Sequence, residues 1–406
     1  MKQFDVLIVG GGASGLAAAI EAARQDKRLR VGVIERLDRV GKKILATGNG
    51  RCNLSNLHAS AQDYNAPEFV EKVFQKKSPT DNMDFFRSLG LLTVADSEGR
   101  VYPYSGTATS VLDVLRFEAQ RLGVEIVCSQ RAESVTKNKN YFTVNGVYSS
   151  TVLMLSCGGK SSPSQGSDGS GYELLRQLGL TVTELKPSLV QIKTQQDFVK
   201  SLKGLRSNAR ITLDRGGTDI AESRGEILFT DYGISGIAAM EISRDAEKDC
   251  VLKIDFLPDY SEKEVLDMLY LNAKRNRDSS AEYLLTGVLH SRIAQALLKG
   301  TLSDFNIQCS RLKHDQMQNI AKELKCKKIK VTGKNGFDQS QVTAGGAELS
   351  QFTGMLEAKN CPGLFVTGEL LDVDGRCGGF NLAFAWSSGR LAGESAAQKI
   401  LKRAKL

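Results

Sequence analysis

Asp5-Val6-Leu7-Ile8-Val9-Gly10-Gly11-Gly12-Ala13-Ser14-Gly15-Leu16 is the stretch whose reading decides the fold. Asp5 to Val9 is a short apolar run and reads as a buried parallel strand. Gly10, Gly12 and Gly15 keep the spacing G-x-G-x-x-G, and strong helix formers run from Leu16 to Arg24. Val31-Gly32-Val33-Ile34-Glu35 reads as a second strand, which completes one βαβ unit. The glycine pattern alone is weak. Here it follows a strand and opens a helix, and Glu35 lies twenty residues beyond Gly15. Gly10 permits the tight turn, Gly12 lets backbone approach a pyrophosphate, and Gly15 lets helix and strand pack closely. The helix start offers free N–H groups and a positive dipole end to phosphates. Glu35 is placed to accept both hydroxyls of an adenosine ribose, and its charge disfavours a 2′-phosphate.

Working outward, Pro79 to Gly90 and Thr109 to Gly123 carry helical spacing, and Val124 to Val152 reads as short strands. Val152 to Leu155 is another buried strand, ended by Ser156-Cys157-Gly158-Gly159. Ser161 to Gly171 reads as a loop and Tyr172 to Leu178 as a helix. Near Pro187 the character changes. Short alternating segments at Val190–Lys193, Ala209–Leu213, Glu226–Thr230 and Val251–Phe256 predict an antiparallel β domain. Residues 261–325 have helical spacing, no proline and only Gly287 and Gly300. Gly363 to Gly368 then reads as a strand, and Phe380 to Ala392 as a helix.

Two further segments bear on chemistry. Gly41 to Asn53 reads as a polar, glycine-bearing loop past the second strand, with donors on Asn49, Arg51 and Asn53. Thr367 to Leu382 reads as strand, loop and helix. Glu369 is placed for ribityl hydroxyls, and Gly378 and Gly379 open a helix aimed at a flavin pyrimidine edge. Such a helix end stabilises negative charge on reduced flavin by about 1–2 kcal/mol. These segments lie at opposite ends of the chain, so one cofactor spanning both requires a discontinuous domain. The expected architecture is α/β. A Rossmann-type FAD-binding domain comprises residues 1–187 and 335–406. An inserted antiparallel, barrel-like β domain comprises 188–260 and 326–334, and a helical subdomain 261–325.

The chain of 406 residues exceeds one ordinary core. No apolar stretch is long enough to span a bilayer. Met1 to Asp5 leads directly into a strand, so no secretory signal and a cytoplasmic location are expected. The eight cysteines form no CxxC pair, and there are three histidines. This argues against a disulfide framework and against a metal site. The net charge is +8, with basic clusters at Lys76-Lys77, Lys325–Lys330 and Lys402–Lys405. Without interleaved aromatics or a known module, the pattern argues against a nucleic-acid partner and for solvated faces.

These residues resemble the bacterial HI0933-like, or YhiN-like, FAD-binding proteins, also described as aminoacetone oxidase-like NAD(P)/FAD-dependent oxidoreductases. The resemblance covers essentially the whole chain. Its most specific marks are Thr47-Gly-Asn-Gly-Arg-Cys-Asn53, Gly225 to Gly236, Val342-Thr-Ala-Gly-Gly346 and Thr367 to Gly389. Two departures are Ile237, where many relatives have proline, and Asp231, where some have histidine.

The resemblance implies cofactor contacts from Gly10, Gly12, Ala13, Ser14, Gly15, Glu35, Arg36, Lys42, Gly48, Asn49, Gly50, Gly158, Gly159, Gly345, Gly368, Glu369, Gly378, Gly379, Phe380, Asn381 and Leu382. Arg51, Cys52, Asn53 and Cys377 are the expected catalytic, ring-proximal residues, and Asp231 and Tyr232 are expected over the substrate face. The implied activity is an FAD-dependent oxidoreductase passing a hydride between flavin and a small organic substrate or NAD(P)H. Two reactions stay open: oxidation of a small amine such as aminoacetone, and reduction of a conjugated enone as in bile-acid-type steroids. A disulfide reductase would need Cys52 and Cys377 to meet. A non-catalytic flavoprotein that binds a partner or nucleic acid is the alternative from another class. The oligomeric state is not legible.

Overall fold

Val6, Leu7 and Ile8 are fully buried. The strand that holds them, Lys2–Val9, has parallel neighbours on both sides, Val31–Ile34 and Tyr148–Leu155. Beyond Val31–Ile34 the sheet adds Glu125–Val127, again parallel. Tyr148–Leu155 serves two kinds of neighbour. Its first half pairs antiparallel with Phe142–Val144, and its second half pairs parallel with Leu364–Val366. A strand from far along the chain thereby joins the N-terminal sheet. The protein is described by a computed structural model covering residues 1–403, so Lys405 of the basic tail lies outside the described residues.

The helix Ala13–Gln25 packs on Phe380–Arg403 through small side chains, with Ala18, Ala19 and Ala22 fully buried. A Cβ at Gly389 would lie 2.2 Å from the Ser14 carbonyl oxygen, and one at Gly393 would lie 2.2 Å from that of Ala18. The last helix was expected to end at Ala392. It runs to Arg403, because these glycines mark a close helix crossing rather than a stop. A second revision concerns Gly41 to Asn53. It is not a plain loop but a short helix, Lys42–Ala46, followed by a 3-10 turn, Thr47–Gly50.

The chain divides into two compact units. One comprises Met1–Pro187 and the chain from Ser340 onward, and the other Ser188–Gln339. The second unit is a closed antiparallel barrel. Its order is Ile192–Thr194, Gly233–Ser235, Thr218–Phe229, Arg206–Arg215, Cys250–Asp255 and Lys327–Lys334, which pairs again with the first. Its strands alternate as a one-sided sheet must: Ile211, Leu213, Leu252 and Ile254 are buried. The helices Glu262–Arg275, Ser291–Thr301 and His314–Lys325 precede the last barrel strand, and their Leu269, Leu297 and Leu324 share the barrel's apolar cluster. Within this unit Asp231 pairs with Lys203 at 2.7 Å, and the Tyr232 hydroxyl accepts from Asn335 at 3.3 Å. His290 accepts from the Arg292 N–H at a helix start, and His314 stacks on Tyr270.

Candidate active site

The glycine turn separates into positions that the fold demands and one that it does not. Gly10 has φ +105°, and a Cβ there would sit 2.4 Å from the Ser156 carbonyl oxygen. A Cβ at Gly15 would lie 1.9 Å from the Gly10 oxygen. Gly12 is different. Its φ is −82°, and nothing lies within 4 Å of a Cβ built on it. It provides open ground at the start of the helix, where no side chain caps the first-turn N–H groups. Glu35 borders this turn. Its carboxylate accepts from the Gly11 N–H at 2.8 Å and the Leu37 N–H at 2.9 Å, which leaves one further lone-pair direction on each oxygen. Arg36 donates to Asp168 at 2.6 Å and to the Pro163 carbonyl at 3.0 Å, while its buried Nε has no partner.

The Gly41 N–H donates to the Gly11 carbonyl at 2.8 Å and so ties the second segment to the turn. From the short helix Lys42–Ala46, Lys43 reaches the Glu369 carboxylate at 2.8 Å. Glu369 also accepts from the Thr343 N–H at 2.9 Å. A Cβ at Gly159 would meet Thr343 Oγ1 at 2.5 Å and Glu369 Oε1 at 2.7 Å. Four distant segments meet here. Lys42 was the residue singled out from the sequence, and its neighbour Lys43 makes the ion pair with Glu369. Consecutive residues on a helix face about 100° apart, and spacing alone did not separate them. Thr343 lies in the mark Val342-Thr-Ala-Gly-Gly346, but only Gly345 was singled out there, because one threonine in such a segment carries no signal of its own.

At the far end, a Cβ at Gly379 would lie 2.4 Å from the Ser55 carbonyl oxygen and 2.7 Å from Asn53 Oδ1, and its φ is +101°. Asn53 Oδ1 is buried without a hydrogen-bond partner beside the start of the helix Phe380–Arg403. An orphaned acceptor of this kind costs about 1–3 kcal/mol unless a ligand donates to it. The pyrimidine edge of a flavin carries such an N–H. Together with the free space at Gly12, this shows that the residues fit a flavin dinucleotide. Gly389 packs on Ser14 nine residues after Phe380, so about 14 Å of helix separates that crossing from the second helix start.

Several further expected residues have defined surroundings. Cys52 is fully buried with φ +59°, and burial pushes its thiol up to about 12. Burial therefore favours its thiol form and keeps it from solvent. Native protein should leave Cys52 unalkylated by iodoacetamide from pH 7 to pH 9, read by peptide mass spectrometry. Labelling at the rate of an exposed thiol would refute this. Cys377 is partly exposed, 3.9 Å from Gln341 Oε1, and neither cysteine is in a disulfide. Asn381 uses its amide on its own loop, accepting from the Gly375 N–H and donating to the Gly375 and Arg376 carbonyls. Phe380 is buried, with its ring 6.4 Å from that of Tyr64.

The remaining residues are placed as follows. Gly368 lies against Ser14, Gly345 against the Glu184 backbone, Gly158 against Ser167 and Gly48 against the Asn53 N. Asn49 is left-handed, Gly50 faces open space, and Leu382 packs partly on the core. The exposed Arg51 stacks over the Tyr102 ring, 4.5 Å from its centroid.

Fold and site together define a Rossmann-type, flavin-dependent oxidoreductase. The chain matches the HI0933-like protein Rossmann domain over residues 4–395 and belongs to that family. It is 38% identical over 404 residues to the 3-dehydro-bile acid delta(4,6)-reductase of Clostridium scindens, covering 97% of this chain and 98% of that one. It is 28% identical over 400 residues to the ribosomal RNA dihydrouridine synthase of Escherichia coli, covering 96% of each. Among solved structures it resembles the open conformation of a flavocytochrome c3 fumarate reductase, at TM-score 0.51 and 16% identity over 98% of this chain and 79% of that one. That last likeness is one of fold. Among the described residues no helix is long and apolar enough to cross a membrane.

Proposed function

We propose that the protein is an FAD-dependent reductase that saturates a carbon–carbon double bond conjugated with a carbonyl, with NADH or NADPH as electron donor. The observation that carries this reading is the run of contacts from the Gly12 turn through Gly41 and the Lys43–Glu369 pair, with the Asn53–Gly379 junction at its far end. Bound flavin supplies two-electron chemistry at that junction. The chain's own residues bind and orient. The N–H groups of Ala13 and Ser14 take the pyrophosphate, and Glu35 takes the ribose hydroxyls. Glu369 is held by Lys43 and Thr343 to face ribityl hydroxyls. The start of the helix at Phe380 places its positive end toward the flavin's pyrimidine edge.

The names of both curated relatives support the reaction class. A 3-dehydro delta(4,6) compound carries an enone, and dihydrouridine differs from uridine by one saturated conjugated bond. The eight free thiols suit a reducing compartment such as the cytoplasm. A second reading, with an RNA base as the group reduced, is favoured by the net charge of +8 and by the dihydrouridine synthase relative.

The test is an anaerobic flavin spectrum with NADH or NADPH added, followed by a 3-keto-4-ene steroid or a uridine-bearing RNA. Bleaching by the nicotinamide and recovery on the steroid is expected, and recovery on RNA alone would favour the second reading. Bleaching only by a small amine, with peroxide on re-aeration, would replace the reductase by an oxidase.

A further inference from the structure

Beside the Asn53–Gly379 junction lies a small antiparallel sheet of Ser55–Asn56, Arg100–Pro103 and Thr93–Ala95. Its two faces differ. Val101 and Pro103 are buried on one. On the other, Val94 stands opposite Tyr102, and the Tyr104 N–H donates to the Leu92 carbonyl, so Leu92, Val94, Tyr102 and Tyr104 share the outer face. Leu92 is 68% exposed, Val94 46% and Tyr104 73%. Single exposed apolar residues need no explanation, but a contiguous group does.

The position of this face is also telling. A Cβ at Gly48 would lie 3.5 Å from the Tyr102 ring, and one at Gly378 would lie 3.8 Å from the Arg100 side chain. Asn56 donates to the Gly378 carbonyl at 3.2 Å. Both segments assigned to the flavin ring therefore touch this sheet. Its charges are unequal as well. Arg100 is neutralised by Asp96 at 2.7 Å and Glu98 at 3.0 Å, whereas Arg51, stacked on Tyr102, has no carboxylate partner among the described residues.

We infer that this outer face is the docking surface for the substrate, an apolar ring system bearing an anionic group, with its rings on Leu92, Val94 and Tyr104 and its anion at Arg51. The inference rests on the flavin reading above and adds the substrate class and the residues that select it. Leu92 and Val94 offer aliphatic surface that suits fused rings better than a polyphosphate, and a single uncompensated guanidinium suits a monoanion.

The test is calorimetric titration of the flavin-loaded protein with 2-naphthoate and with its neutral counterpart 2-naphthamide. The naphthoate should bind the tighter of the two. Leu92→Ser with Tyr104→Ser should weaken both by about tenfold. Arg51→Gln should weaken the naphthoate alone, by about threefold to fivefold. All three side chains are exposed, and the flavin spectrum and melting midpoint report that each variant is folded. Unchanged binding of both probes to the Leu92→Ser/Tyr104→Ser protein, or no binding to the native protein, overturns the inference. Purified protein that takes up no flavin fails the earlier reading instead, and the probe titration still reads the face by itself.

Discussion

Gly12→Val should give a folded protein that purifies without colour. The substitution costs the fold little. Gly12 has an extended backbone, φ −82° and ψ −164°, which valine adopts readily, and nothing lies within 4 Å of the added Cβ. Exchange of glycine for a poor helix-capping residue costs about 1 kcal/mol. The loss falls on the ligand, because the isopropyl group fills the ground where the proposed pyrophosphate would approach the helix N–H groups. Retained flavin should drop to about a tenth or less of the native content, read as the ratio of visible to ultraviolet absorbance. Stripped native and variant proteins should melt within a few degrees of each other. Gly15→Val is the contrasting case. Its Cβ would sit 1.9 Å from the Gly10 oxygen, so fold and flavin should fail together. A yellow Gly12→Val protein would show that the dinucleotide does not lie on this turn.

That contrast marks how much of the site was legible. The strand, turn, helix and Glu35 read directly, because G-x-G-x-x-G in that context has few other physical uses. The discontinuous domain was an expectation drawn from chemistry. Thr367 to Leu382 made chemical sense only beside the N-terminal motif, and Leu364–Val366 does pair with Tyr148–Leu155. Side-chain direction did not read. Cys52 and Arg51 are neighbours in one polar loop, yet one is sealed in the core and the other lies in solvent. The left-handed backbone at Asn49 and Cys52 sets those directions, and such conformations at non-glycine residues leave no mark on composition. The direction of the Asn381 side chain did not read for a related reason. An asparagine just inside a helix start serves its own loop as readily as a ligand, and here it serves the loop. The helix was read only as far as Ala392, and the close crossing at Gly389 and Gly393 did not read, because the carbonyls they meet, on Ser14 and Ala18, stand more than 370 residues away in sequence.

The helix crossing made by those glycines holds a buried ion pair, and Arg390→Leu should be among the most destabilising single changes in the protein. Arg390 Nε donates to Glu21 at 2.7 Å, with the two side chains only 10% and 9% exposed. A second guanidinium nitrogen donates to Asn82 Oδ1 at 3.1 Å, and Asn82 in turn donates to Ser387 Oγ and the Ala383 carbonyl. Removal of the guanidinium leaves a carboxylate buried without its partner, and breaking a pair in this way costs about 3–5 kcal/mol. Replacing both members by apolar groups avoids that cost, so Glu21→Leu with Arg390→Leu should recover most of the loss. Urea unfolding reads the difference as a shift in midpoint at constant slope. The consequence reaches the flavin, because Glu21 and Arg390 lie on the two helices whose starts are proposed to hold its phosphates and its ring. Arg390→Leu should therefore also lose flavin on dilution, and the double variant should regain it. Equal stability of the single and double variants would show that Glu21 finds another partner, and that the crossing is held by Gly389 and Gly393 packing alone.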